Sequence, residues 1–291
     1  PGMHRSLFFG YSVEFAQRRQ YAPGDDIRHL DWKVFGRNDK LYLKQYQKET
    51  NLRLVLLVDT SGSMAYGSDT VKGWRKYDYA ATLAATFAHL ALRQQDRVSL
   101  VLFADQMRQS TRLSNARDHW RTIVDTLSSV TPHDDEPLFK PQNVEDGLPE
   151  RMTNLGRMFE QVVAKLTRRS VIVLISDLFD SKEALQSGLA RLRHRRHDVM
   201  ALQVVDHAEL TFPFRSPSEF FGLEAEGKLP LDPAALRDAY LEVFNEHLRD
   251  VQDVTQRFGF DYMMLDTSKA LGPPLSRFLA MRAAAADRKH L

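Results

Sequence analysis

Five consecutive residues, Asp59-Thr60-Ser61-Gly62-Ser63, gather one carboxylate and two serine hydroxyls around a glycine. Oxygens of this kind suit a hard divalent cation, since Mg²⁺ takes about six oxygen ligands and keeps several waters. Zn²⁺ would ask for His or Cys, and the motif contains neither. Gly62 lets such a loop bend without a Cβ clash. The same residues have a plainer reading, in which Ser61 or Ser63 caps a following helix and Asp59 closes a turn. Context tips the balance: the motif follows the apolar run Leu54-Val55-Leu56-Leu57-Val58 and precedes a predicted helix, which puts its oxygens in a loop at the end of a buried strand. No His, Lys or Glu stands beside the motif as a general base, which favours binding over catalysis; the alternative is a metal-dependent hydrolase acting on phosphoesters or nucleic acid.

The elements that must position this loop are legible as hydrophobic pattern. Leu52 to Val58 and Val171 to Ile175 are continuous β-branched and leucine runs, as expected of strands buried on both faces of a parallel sheet. Arg97 to Phe103, Val199 to Val205 and Asp261 to Leu265 are further strand candidates, and Met107 to Leu113 adds one antiparallel strand. Helical spacing separates them: Tyr79, Leu83, Phe87 and Leu90, then Ile123 and Leu127, then Leu155, Phe159 and Val163, then Ala234 to about Arg257. This alternation predicts an α/β fold, a doubly wound, mostly parallel sheet of Rossmann type with an N-terminal extension. Such sheets bind ligands beyond the carboxyl ends of their strands. Asp59, Asp105, Asp177, Asp206 and Asp266 all fall at or near such ends. The expected organisation is a segment over 1–50 packed on a main domain over 51–291, with an insertion at about 206–233 and a long loop from Ser129 to Glu150.

Composition narrows the partners. Forty Lys and Arg against 38 Asp and Glu give a formal charge of +2 over 291 residues, no drive toward nucleic acid. The absence of cysteine removes disulfides, thiolate nucleophiles and cysteine-ligated metals. The apolar runs are far shorter than the ~18 residues of a membrane span, and the chain reads as soluble and cytoplasmic. The basic run Arg191 to His197 reads as a solvated helix end, and His133-Asp134-Asp135-Glu136 as a solvated loop.

Two further pieces stand in order downstream of the motif: Thr153 in Met152-Thr153-Asn154-Leu155, and Asp177 after Ile175-Ser176. With Asp59 to Ser63, this set resembles the metal-ion-dependent adhesion site of von Willebrand factor A-type domains. The resemblance implies that Ser61, Ser63 and Thr153 reach a Mg²⁺ ion, with Mn²⁺ or Ca²⁺ as alternatives, through hydroxyl oxygens, directly or through water. Asp59 and Asp177 would bind it directly or hold its waters. Thr167 or Thr131 could replace Thr153, and Asp180 rivals Asp177. One coordination position would remain for a carboxylate supplied by a partner protein.

Upstream, Glu14-Phe15, the run Tyr21-Ala22-Pro23-Gly24-Asp25-Asp26-Ile27-Arg28 and Asp31-Trp32-Lys33 stand in order. Pro23 to Asp26 is a turn by residue chemistry. Together with the motif downstream, this string resembles the domain of unknown function 58 family, whose members are commonly associated with MoxR-type AAA+ ATPases. That resemblance implies an ATPase partner. Arg28, Asp31, Lys33 and Arg37 then form either a docking surface for it or an internal network of ion pairs.

Overall fold

The computed structural model describes residues 14–23, 25–27, 30–47, 53–68, 73–132, 155–166, 168–214, 218–221, 228–231, 233–273 and 276. The chain divides into two compact units, Pro1–Leu52 with Gln94–Asp96, and Arg53–Arg93 with Arg97–Leu291.

In the first unit, β1 (Glu14–Gln20) and β2 (Tyr42–Gln47) pair antiparallel, and α1 (Trp32–Asn38) lies between them in the chain. The expected turn is present: Asp25 N–H donates to Ala22 O, and the Asp25 carboxylate accepts from Ala22 N–H at 2.9 Å and from Arg19 Nη2 at 2.6 Å. The sequence predicted no strand here because Glu-Phe-Ala-Gln-Arg-Arg-Gln and Tyr-Leu-Lys-Gln-Tyr-Gln are too polar to show a two-residue apolar alternation.

The second unit is built on a six-stranded sheet of β3 (Arg53–Asp59), β4 (Arg97–Phe103), β5 (Met107–Ser110), β6 (Val171–Ser176), β7 (Asp198–Val205) and β10 (Asp261–Asp266). Its order is β10-β7-β6-β3-β4-β5, with β5 the single antiparallel strand. The α/β class, mostly parallel, is therefore as the periodicity predicts. Leu54 to Val58 and Val171 to Ile175 are buried throughout, because helices cover both faces. On one face Tyr79, Leu83 and Phe87 of α2 (Lys76–Arg93) cover the sheet beside α3 (His119–Ser128). The other face supports α4 (Leu155–Lys165), α5 (Lys182–His194) and α7 (Pro233–Arg257) over a core that includes Val55, Leu57, Phe103, Phe159, Leu189 and Val254. The span 206–233, expected as an irregular insertion, contains the short helix α6 (His207–Thr211) and a hairpin of β8 (Ser218–Phe221) and β9 (Lys228–Leu231).

The chain leaves β3 toward β4 on one side, and β6 returns to pair with β3 on the other. The order therefore reverses between β3 and β6. At such a switch point the loops beyond the two carboxyl ends part and leave a crevice, and Asp59 and Asp177 stand at those two ends.

Candidate functional site

Asp59 closes β3 and is 2% exposed, and its two oxygens are both engaged. Oδ1 accepts from Ser61 N–H at 2.8 Å, while Oδ2 accepts from the Ser176 hydroxyl of β6 at 2.5 Å. Ser176 Oγ in turn accepts from Leu178 N–H at 2.9 Å, so one serine ties the two strand ends together. Thr60 is spent on structure, its N–H and hydroxyl both donating to Phe103 O at 2.7 and 2.8 Å.

The helix-cap reading of the motif does not hold. Ser61 precedes a single 3₁₀ turn, Gly62–Ala65, but its side chain makes no capping hydrogen bond, and α2 begins only at Lys76. Instead the Ser61 and Ser63 hydroxyls face each other at 3.1 Å. Ser63 also bonds the Asp177 carboxylate, and Ser61 bonds Asp59. Asp59, Ser61, Ser63 and Asp177 thus come together as expected. Asp180, the rival of Asp177, is occupied in the following turn, where it accepts from Ser181 N–H at 2.6 Å. Thr153 and its substitute Thr167 lie outside the described residues, and Thr131 follows α3.

Two residues not picked out from the sequence dominate the electrostatics. Lys76, 2% exposed, places Nζ 2.8 Å from Asp177 Oδ2 and 2.8 Å from Glu209 Oε1. Neither stands beside the motif in sequence, and both are brought to Asp177 in space. Burial alone would discharge the Lys76 ammonium, but the charges of Asp177 and Glu209 outweigh it and raise its pKa. Burial likewise works against the Asp177 carboxylate, yet Lys76, with the Ser63 and Phe179 N–H bonds, holds its pKa below the usual range. Asp59 has no such cation and is raised, by burial first and then by the charge of Asp177. Glu209 is raised by burial despite Lys76. Its other oxygen closes a capping box on Asp206 at the start of α6, which fixes its position.

This arrangement fits a hard divalent cation. Asp177 and Glu209 share the single ammonium of Lys76, and Asp59 meets Ser61 and Ser176 instead of a cation. Among the described residues no three His, Asp or Glu side chains converge as a metal cluster, and the oxygens that meet here are those of Asp59, Asp177, Ser61 and Ser63. Oxygens alone, some of them neutral, match Mg²⁺ rather than Zn²⁺.

Leu178 turns through a left-handed conformation, φ 54°, and thereby projects Phe179 outward, 56% exposed, with its ring 5.2 Å from that of His247. Trp74, 40% exposed, stands two residues before the start of α2 and packs edge-on against Tyr79. Elsewhere, Asp206 is buried and accepts from Ser68 N–H, Ala208 N–H and Thr267 Oγ1, while Asp266 accepts from His207 and Ser268. Asp105 is exposed. Of the four residues expected to meet a partner, Lys33 and Arg37 are exposed on α1 and Arg28 lies outside the described residues. Asp31 is 2% exposed, which takes its carboxylate out of a docking surface and corrects that expectation.

The family described as protein of unknown function DUF58 matches residues 17–250. Uncharacterised proteins of Mycobacterium tuberculosis (Rv1480) and Mycobacterium bovis (Mb1516) are each 25% identical over 293 residues, covering 99% of this chain and 86% of theirs. Among solved structures, the chain is similar to a conserved hypothetical protein, BatB, from Bacteroides thetaiotaomicron, at TM-score 0.48 and 16% identity over 79% of this chain and 100% of that one. It is also similar to the SpRpn10 VWA domain, at TM-score 0.40 and 9% identity over 79% of this chain and 94% of that one.

Proposed function

The chain belongs to the DUF58 family, and from that premise we propose that it is a Mg²⁺-dependent protein-binding adaptor that works with a MoxR-type AAA+ ATPase in assembling or activating a partner protein. The observation that carries this reading is the meeting of Asp59, Ser61, Ser63 and Asp177 at the strand-order switch point, beside the exposed ring of Phe179. A bound cation supplies a Lewis-acidic position open to an outside oxygen, and its charge favours a carboxylate. The chain's own residues do the rest. Ser61 and Ser63 present neutral oxygens, Ser176 orients Asp59, and Lys76 keeps Asp177 ionised. Phe179 and Trp74 offer apolar area around the acidic contact, the kind of aromatic anchor that dominates interface energetics. Among the described residues no helix is long and apolar enough to cross a membrane; the cytoplasmic placement belongs to the same proposal.

The test is binding between this chain and the MoxR-type ATPase of its own host, measured by surface plasmon resonance in Mg²⁺ and in EDTA. Binding should require the divalent ion, and Ser61→Ala with Ser63→Ala should abolish the requirement along with most of the affinity. EDTA-insensitive binding, unchanged in the double variant, would sink the metal-gated reading. Turnover of phosphoester substrates that co-purifies with the chain and disappears in the double variant would move the assignment to a hydrolase.

A further inference from the structure

A cavity of about 270 Å³ opens on the α4 face of the sheet, toward the amino ends of β3 and β4. Arg53 begins β3 and Asp59 ends it, so at about 3.3 Å per residue the cavity mouth stands roughly 20 Å from the acidic edge. Val55, Val101, Val162 and Leu166 form its apolar walls. Ser99, only 8% exposed, lines it as well, together with Ser110, Thr111 and Ser170. Two cations also line the cavity, Arg53 and Lys165.

These cations are not alone. Arg53 stands opposite Arg97 in the β3–β4 register, a like-charge pairing that weakens a sheet. Burial, and after it the nearby charges of Arg168 and Arg97, lower the Arg53 pKa. Among the described residues none of these four cations pairs with a carboxylate; Lys165 Nζ rests 3.0 Å from Met107 Sδ. Apolar walls joined by hydroxyls, beneath crowded positive charge, are complementary to a molecule with one anionic head and an aliphatic body.

We propose that this cavity binds a small amphipathic anion whose head meets Arg53 and Ser99 and whose chain packs along Val55, Val101, Val162 and Leu166. At about 30 Å³ per water-sized group, the space takes on the order of nine or ten non-hydrogen atoms; octanoate is of that size. The site is independent of the metal edge, and its occupancy should not respond to EDTA.

The experiment is calorimetric titration of the full chain with octanoate, with octanol, octyltrimethylammonium and inorganic phosphate as controls. Saturable one-to-one binding of octanoate is expected, with each control at least about tenfold weaker. Arg53→Gln should weaken octanoate at least about tenfold, and Ser99→Leu, which fills the cavity, should do the same. Because Ser99→Leu alters a core position, its fold is checked by circular dichroism. Arg53→Gln changes the half-buried end of a strand and decides the matter alone if the other variant fails to fold. Absence of saturable binding, equal affinity for octanol or for phosphate, or octanoate affinity unchanged in Arg53→Gln would overturn the proposal.

Discussion

Lys76 is the residue on which the acidic edge turns, because it pairs with Asp177 and Glu209 at once from a position with almost no access to water. Removing one member of a buried ion pair leaves the others uncompensated, typically at about 3–5 kcal/mol. Lys76→Met, which keeps the length and loses the charge, should therefore lower stability by about that amount in urea unfolding, and saturating Mg²⁺ should recover part of the loss. A variant as stable as the parent would mean that water reaches the triad. The serines make the opposite case. Ser61→Ala with Ser63→Ala removes no charge, so the metal-free protein should melt within a few degrees of the parent. The gain on adding Mg²⁺ should vanish in the variant, since a ligand stabilises only by its own binding. Calorimetric melting with and without Mg²⁺ checks this, and an equal gain in parent and variant would remove both hydroxyls from the donor set. Lys76 had a signal in the sequence. It stands three residues before Tyr79, in phase with the apolar stripe Tyr79, Leu83 and Phe87, so a lysine there had to be buried and paired. Glu209 had one too, in the Asp-x-x-Glu spacing of a capping box. Neither pattern says which distant residue it meets, because that depends on how segments 101 and 133 residues away are placed.

Between elements, α5 packs closely on α4. Gly188 of α5 sits against the ring of Phe159 of α4, so near that an added Cβ would overlap Cδ2 and Cε2. Phe159 is fully buried and has nowhere to move. Alanine gains about 1 kcal/mol over glycine in a helix interior, whereas overpacking costs about 1–3 kcal/mol. Gly188→Ala should therefore destabilise on balance, by up to about 2 kcal/mol. A double variant with Phe159→Leu should recover part of the loss, and a double-mutant cycle by chemical denaturation measures the coupling. Additive effects would show that the helices separate freely. Nothing in Gln186-Ser187-Gly188-Leu189 announces this contact, since a glycine in a helical pattern reads only as a weak point. β3 and β6 were legible for the converse reason: strands covered on both faces leave no position for a polar residue. β1 and β2 belong to a two-stranded ribbon whose sequence carries almost no apolar period, and only pairing geometry reveals them.

For the folded molecule as a whole, the buried histidines set a direction for its response to pH. His197, 2% exposed, accepts the Ser170 N–H on Nδ1 at 3.2 Å, which requires the neutral ring, and its Nε2 is buried without a partner. Burial is the main cause lowering its pKa, and the same holds for His119, whose Nε2 faces Val98 O at 3.1 Å. With folded pKa values below the unfolded value of 6.5, the unfolded chain binds more protons as pH falls through and below that value. The stability these rings contribute is therefore full above 6.5 and is lost as pH falls toward their folded pKa, at up to about 1.4 kcal/mol per pH unit for each. Asp59 and Glu209, both raised, run the other way, because the folded chain then holds the extra protons. Total stability mixes the two, and the informative quantity is a difference. His197→Asn keeps an acceptor for Ser170 N–H and removes the titration. On moving from pH 7.5 to 5.5 the parent should lose more stability than this variant, by up to about 1.4 kcal/mol in paired urea denaturation curves. If parent and variant fall in parallel, His197 is already protonated in the fold, and the Ser170 N–H must find another acceptor.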